Sequence, residues 1–317
     1  MALDPSYLKY PHRREGMDHS FYEPSNIFER PDFFWPGGKR VAVWIVVNLE
    51  WFPLEPSDTP FRAPGHMQTP YPDYRHYTAR DYGSRVGAWR LLEALKKARM
   101  PASFAVNAAV AERYPDLMAA LSREVHEVVA HSTDMNGTIA SGLPEDEERA
   151  LILAARDALI RITGSAPKGW ASIARSQSFN TLKLLAEAGF EYQCDWPNDD
   201  LPYTMTTPAG PIGNMPLNHE LSDRQILLTQ QHDIDSYVEQ IKDAYQWLSR
   251  EAVKGGPRIL PLNVTPYIMG LPYRINAFEE LLGWLKGRHD AWFARGDIIH
   301  RHWKSAIAEA AAGRTGA

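Results

Sequence analysis

The sequence predicts an α/β fold built around a parallel sheet. Segments of strand length alternate with amphipathic segments of helix length along most of the chain. The first strand, Val41 to Val47, is an unbroken run of β-branched, aromatic and small apolar residues. A continuous apolar strand is typical of a sheet that is covered on both faces. The alternation therefore favours either a (β/α) barrel or a wound sheet.

The predicted elements follow one another in βα order. The strands cover residues 41–47, 101–106, 127–130, 168–172, 190–194, 258–264 and 291–293. The helices cover residues 84–99, 112–121, 144–163, 178–188, 235–254, 275–287 and 298–311. Pro144 suits the start of its helix, and Gly189 and the Gly255–Gly256 pair are stop signals for two others.

Two segments fall outside this alternation. Residues 1–38 are rich in proline, aromatic residues and charge, so we expect an extended N-terminal arm that lies on a single domain of residues 39–317. Residues 52–82 form a Pro- and Tyr-rich insertion. Because so long an irregular segment in a compact domain is usually functional, we expect an ordered flap over the site.

Composition narrows the function classes. The 317 residues are 44% hydrophobic and 23% charged, which is an ordinary globular profile. A net charge of -5, from 34 basic and 39 acidic residues, gives no electrostatic reason to expect nucleic-acid binding. No apolar run reaches the roughly 18–20 residues of a membrane span, and no secretory signal is visible. Since Cys194 is the single cysteine, neither an intrachain disulfide nor a multi-cysteine zinc site can form, and we expect a cytoplasmic protein.

Polar residues follow several predicted strands, where ligands sit in parallel α/β folds. Glu50 is the strongest acid/base candidate, because a carboxylate just past a buried strand is partly desolvated; the alternative is a salt bridge to an arginine. His131 is a candidate for metal binding, proton donation or carbonyl polarisation, or for a structural role. Arg175 has a planar fork suited to a substrate carboxylate or imide oxygen, or to a structural ion pair.

Several further residues are candidates for substrate contact. They are Asn48, Trp51, Trp196, Asn198, Asp199, Tyr203, His232 and Thr265. The aromatic members are equally plausible as core, and polar residues in turns often bond only to the backbone.

The chain resembles the polysaccharide-deacetylase (NodB-homology) superfamily, and most of all its cytoplasmic branch of allantoinase-like and cyclic-imide-hydrolase-like enzymes. The resemblance runs from about residue 40 to 303 and is carried by VAVWIVVNLEW, HEVVAHS, GWASIARSQSFNTLKLLAEAGFEY, CDWPNDDLPY and the segment LNVTPYIMGLPYRINAFEELLGWLKGRHDAWFARGDIIHRHW. It implies a distorted (β/α) barrel with the site at the carboxyl ends of the strands. It also implies a homo-oligomer, either a dimer or a tetramer.

The sequence departs from the family pattern at four positions. Asn48 and Glu50 stand where the metal-dependent deacetylases carry two aspartates, and the allantoinase-like branch has a similar Asn-x-Glu. The family's His-x-x-x-His metal pair corresponds to His131 and Met135, and its late catalytic histidine aligns with Thr265.

The leading hypothesis is a hydrolase of a non-peptide C–N bond in a small cyclic amide, imide or ureide. Glu50 would activate water, His131 would polarise the carbonyl, and Asn48 would orient the substrate. One alternative is a metal-dependent deacetylase of a small or carbohydrate amide, with zinc on Glu50, His131 and either Asp134 or His232. The other is a catalytically degenerate binding or scaffold protein.

Overall fold

The computed structural model describes residues 19–27, 30, 33–66 and 72–315. Its strands are β1 (Val41–Leu49), β2 (Ser103–Val106), β3 (Glu127–Ala130), β4 (Gly169–Trp170), β5 (Tyr192–Gln193), β6 (Tyr203–Thr207), β7 (Gly210–Asn214), β8 (Arg258–Val264) and β9 (Ala291–Phe293). Its helices are α1 (Tyr74–Tyr82), α2 (Ala88–Ala98), α3 (Ala108–Arg113), α4 (Pro115–Arg123), α5 (Glu145–Thr163), α6 (Thr181–Glu187), α7 (Ile234–Gly255), α8 (Pro266–Met269), α9 (Ile275–Lys286) and α10 (Gly296–Thr315).

The strands form one curled sheet in the order β6-β7-β5-β4-β3-β2-β1-β8, with β9 beside the start of β1. The paired strands of the described chain run parallel, except for the antiparallel hairpin of β6 and β7. This curled sheet with its surrounding helices confirms the predicted α/β, distorted (β/α) barrel. In a parallel sheet the carboxyl ends of the strands share one edge, and that edge positions the site.

The side chains of β1 alternate between two apolar clusters. Val43 and Ile45 belong to the larger cluster, which includes residues of the surrounding helices. Trp44 and Val46 belong to a second cluster on the other face, together with Trp303 of α10. Both faces of β1 are thus covered, which is the physical reason for its continuous apolar sequence.

The structure differs from the predicted elements in several places. A single helix was expected over 112–121, but Pro115 begins a second helix there, so α3 and α4 are separate. The hairpin of β6 and β7 was not predicted. The insertion at 52–82 contains α1, which continues through a π-helical turn, Gly83–Gly87, into α2. Helix α1 escaped prediction because charged and polar residues occur all round it and leave no apolar stripe.

The described part of the N-terminal arm packs on the body of its own chain. Phe21, Phe33 and Trp35 are buried. The Phe21 carbonyl accepts a hydrogen bond from the main chain of Thr206 at 2.7 Å, and the indole of Trp35 donates to the carbonyl of Arg258 at 2.9 Å. Among the described residues, no helix has both the length and the apolar character that crossing a bilayer requires.

Candidate active site

A cavity of about 280 Å³ lies at the carboxyl ends of the strands. Five of the predicted site residues line it: Asn48, Glu50, His131, Arg175 and Thr265. They lie at or after the carboxyl ends of β1, β3, β4 and β8, so the parallel sheet brings together residues from four distant parts of the sequence. These polar side chains line the same cavity, as expected for residues at the carboxyl ends of parallel strands.

The Glu50 carboxylate is held by two partners. Arg224 Nη2 lies 2.7 Å from both carboxylate oxygens, and the Tyr267 hydroxyl donates to Oε2 at 2.7 Å. Burial alone would lower the pKa of Arg224, but the Glu50 charge outweighs that effect and raises the pKa above its usual value. The arginine salt bridge that the sequence left open is therefore present, and the pair is charged on both sides.

The imidazole of His131 is oriented by the main chain. Its Nδ1 lies 2.7 Å from the carbonyl oxygen of Ala171, just past β4. Since a carbonyl oxygen only accepts hydrogen bonds, Nδ1 carries the proton, and Nε2 of the neutral ring keeps its lone pair. A neutral His131 can therefore accept a proton at Nε2, whereas polarising a carbonyl from there would require the charged ring.

A second buried carboxyl group, Asp223, also lines the cavity. Its Oδ2 accepts from the main-chain N–H of Thr265 at 2.6 Å, and its Oδ1 lies 3.2 Å from the Thr265 hydroxyl. Burial raises the pKa of Asp223 to about 7, against the weaker opposing effect of these hydrogen bonds. Near neutral pH the group is thus present in both protonation states.

Further polar groups of the wall are satisfied by neighbours. Asp195 accepts from the main-chain N–H of Ser172 at 2.8 Å and from the Gln177 amide at 2.7 Å, while burial raises its pKa. The side-chain amide of Asn48 donates to Asn263 at 2.6 Å. Asn48 Oδ1 remains as an acceptor for a substrate N–H.

Two predicted contact residues lie away from this cavity. Trp51 is not among its lining residues; the indole packs against Tyr77, and the Arg113 guanidinium lies 4.4 Å from its ring centre. His232 is exposed at the end of the π-helical segment Arg224–Thr229.

The aromatic and polar residues of the segment 196–203 contact the N-terminal arm and do not line the cavity. The Arg30 guanidinium pairs with Asp199, and the Asn198 amide donates to the Tyr22 hydroxyl at 3.0 Å. The indole of Trp196 packs edge-on against Phe21 and Tyr22, and Tyr203 packs against Tyr22. The structure therefore does not place the predicted substrate contacts Trp196, Asn198, Asp199 and Tyr203 on this cavity, because residues of the N-terminal arm engage these side chains.

The zinc site considered from the sequence does not assemble. Within the described ranges, no three His, Cys, Asp or Glu side chains come close enough together to hold a metal ion. Glu50 is paired with Arg224, Met135 offers only a thioether, and Asp134 accepts from the main chain of its own turn at 2.8 Å. Because a catalytic zinc ion needs three protein ligands, these donors do not fit one.

Sequence reasoning missed the residues that engage Glu50 and Thr265. Asp223 and Arg224 lie in the stretch between the hairpin and α7, where no element was predicted. Their only sequence signal is an Asp-Arg pair beside the apolar run Ile226 to Leu228, and that pattern is also typical of a surface helix. Tyr267 lies in α8, directly after β8, but nothing local in the sequence distinguishes it from core tyrosines.

The chain is similar in sequence and in fold to several known proteins. A family model described as polysaccharide deacetylase matches residues 73–193. A Schizosaccharomyces pombe protein assigned to the polysaccharide deacetylases is 25% identical over 300 residues, which cover 86% of this chain and 92% of that protein.

Two crystal structures share both fold and sequence. A Pseudomonas aeruginosa PAO1 protein, also assigned to the polysaccharide deacetylases, superposes with a TM-score of 0.78 at 26% identity over 89% of this chain and 98% of its own. Puue allantoinase superposes with a TM-score of 0.78 at 28% identity over 90% of this chain and 98% of its own. This chain is therefore similar, in sequence and in fold, to proteins described as polysaccharide deacetylases and to an allantoinase.

Proposed function

We propose that this protein hydrolyses a non-peptide C–N bond in a small cyclic amide, imide or ureide. The observation that carries the proposal is the cavity of about 280 Å³, in which a paired carboxylate, a main-chain-oriented imidazole and a guanidinium converge. That volume lies near the lower end of ligand sites, roughly 300–1,000 Å³, so it suits one small ring better than a polymer. The likeness to an allantoinase supports the same substrate class.

The geometry suggests how the chain's own residues would act. Glu50, fixed by Arg224 and Tyr267, would hold the attacking water with its remaining acceptor site. Nε2 of His131 would take the proton as the water oxygen bonds to the carbonyl carbon. The imidazolium would then give that proton to the ring nitrogen as the C–N bond breaks, which balances the reaction.

Substrate orientation would come from two further groups. Asn48 Oδ1 would accept from the substrate N–H, and Arg175 would bind an oxygen of the substrate. This scheme keeps the predicted catalytic set of Asn48, Glu50 and His131, but it moves His131 from carbonyl polarisation to proton transfer because of its tautomer.

A substrate panel with matched variants tests the proposal. Purified protein is assayed for ring opening of allantoin, hydantoin, dihydrouracil and succinimide. For the active substrate, Glu50→Gln and His131→Asn are each expected to lower kcat/KM by about 10²–10⁴, because each removes an acid–base or water-binding group. Unchanged turnover in Glu50→Gln would show that Glu50 does not hold the attacking water, and would overturn this scheme.

The deacetylase alternative makes a different prediction. It requires acetate release from an N-acetylated amine or N-acetylglucosamine oligomer and loss of that activity on chelation. Ring opening that persists in chelator, without acetate release, would favour the cyclic-amide hydrolase. Failure of every substrate in both panels would favour the scaffold protein.

Cytoplasmic location and assembly as a homo-oligomer remain predictions. Gel filtration at several protein concentrations checks the oligomer, for which an elution volume of two or four chains is expected.

A further inference from the structure

The carboxylates that line the cavity already have partners. Glu50 is paired with Arg224, and Asp223 accepts from Thr265. Asp195 accepts from one main-chain N–H and one side-chain amide. These carboxyl groups therefore have hydrogen-bond partners other than Arg175, whose charge acts on Asp195 only from a distance.

Arg175 also lines this cavity, but its charge lacks an ion pair within the described residues. Within the described part of the chain, its side chain donates one long hydrogen bond, from Nε to the Leu217 carbonyl oxygen at 3.4 Å. Among the described residues, no carboxylate oxygen forms an ion pair with it within 4.0 Å; Asp195 and Glu220 act on it only from farther away. Burial accordingly lowers the pKa of Arg175 below its usual value. Four N–H donors of its fork are left for a ligand.

The backbone that presents Arg175 is unusual. Ala174 has φ 57° and Arg175 has φ 55°, so two consecutive residues with side chains occupy the left-handed region. The Arg175 N–H donates to Ser172 and the Ser176 N–H donates to Ile173, both at 3.1 Å, which holds this tight turn. Such strain persists where the surroundings enforce it and is concentrated at functional sites.

We propose that Arg175 binds a carboxylate of the substrate, so that the substrate is a cyclic imide or ureide carrying an acidic substituent. This inference rests on the proposed function and names its substrate class more narrowly. A neutral carbonyl would leave a half-buried positive charge without an ion pair, whereas a carboxylate would supply one. The planar fork also matches two carboxylate oxygens at once.

The kinetic test uses ring pairs that differ only in the acidic group. Dihydroorotate is compared with dihydrouracil, and hydantoin-5-acetate with hydantoin. The wild type is expected to prefer the acidic member of at least one pair by about 10- to 100-fold in kcat/KM. That preference should disappear in Arg175→Gln and fall in Arg175→Lys, which keeps the charge but loses the fork.

A binding measurement separates this inference from the hydrolytic proposal. Isothermal titration with succinate, and with neutral succinimide at equal ionic strength, needs no turnover. Succinate is expected to bind the wild type and to lose about 10-fold or more in affinity in Arg175→Gln.

Thermal unfolding distinguishes a ligand-binding arginine from a structural one. Arg175→Gln should keep or raise Tm, because it removes a charge that lacks an ion pair. The control is Arg90→Gln, which loses hydrogen bonds of 2.7 Å to the Tyr82 hydroxyl and 2.9 Å to the Gly270 carbonyl. It should lower Tm without changing succinate affinity.

Each combination of results decides between the two proposals. Arg175-dependent succinate binding without ring opening of any substrate would uphold the carboxylate site and overturn the hydrolytic function. Ring opening with no preference for acidic rings, or succinate affinity equal in wild type and Arg175→Gln, would overturn the carboxylate site. A fall in Tm of Arg175→Gln as large as that of Arg90→Gln would also overturn it, by showing a structural role.

Discussion

Replacing Arg224 with methionine should reveal how much the ion pair between Arg224 and Glu50 contributes to the stability of the folded protein. The two side chains are only 14% and 6% exposed, so Arg224→Met leaves a buried carboxylate whose remaining partner is the Tyr267 hydroxyl. Removing one partner of a buried pair costs about 3–5 kcal/mol. For a chain of this length, that corresponds to a fall in Tm of about 4–8 °C.

A double-mutant cycle assigns this cost to the pair. Glu50→Gln in the Arg224→Met background should restore stability, since the uncompensated charge is gone, with an interaction energy of at least about 2 kcal/mol. Urea unfolding followed by circular dichroism measures all four proteins. The matched control is Arg161→Met, whose ion pair with Glu112 has the same 2.7 Å distance but side chains that are 64% and 46% exposed. It should lose no more than about 1 kcal/mol.

Two results would refute this reasoning. If Arg224→Met loses no more stability than Arg161→Met, burial does not strengthen the pair. If the effects of Arg224→Met and Glu50→Gln simply add, the two residues are not coupled, and the role assigned to Arg224 in holding the carboxylate is wrong.

The remaining predictions concern pH and backbone packing. Burial raises the pKa of Asp223 to about 7, and burial together with the Asp297 charge raises that of Glu127 to about 7. Both groups keep their protons in the folded state at pH values where the unfolded chain has lost them, so stability should fall as pH rises from about 4 to 7. Asp223→Asn and Glu127→Gln should each reduce that fall, as measured by urea midpoints at pH 5 and 8; equal pH dependence in wild type and variants would contradict this. Gly87→Ala should lose about 1–3 kcal/mol in urea unfolding, since its Cβ would lie 2.1 Å from a main-chain carbonyl oxygen. Gly283→Ala, with nothing within 4 Å of its Cβ, should instead gain about 0.5–1 kcal/mol, and similar losses in both variants would exclude the steric explanation.

The local sequence predicted most accurately those strands whose residues form one short, clearly bounded apolar run. Strand β3 was predicted as 127–130 and β8 as 258–264, and both are observed with those bounds. A short apolar run between turn signals carries its own strand signal. The side chains that directly follow such strands, Glu50 and His131, were found because parallel strands end at one edge.

Contacts between distant segments could not be predicted in the same way. Arg224 contacts Glu50 although the two residues lie 174 positions apart in the sequence. Arg224 belongs to a π-helical segment that the hydrophobic periodicity of the sequence does not predict. The segment 196–203 was expected in the cavity, yet Asp199 pairs with Arg30 of the arm. Neither pairing has a local signature, because each is decided by how the curled sheet brings its loops together.

Short-range periodicity and composition were thus enough to predict the α/β alternation, the buried first strand and the polar residues at the strand ends. Which charges are paired became visible in the folded chain. The tertiary structure showed that Glu50 is paired while Arg175, on the same wall, lacks an ion pair among the described residues. The electrostatics of a cavity depend on distances between side chains from separate elements, and those distances exist only after the sheet has curled.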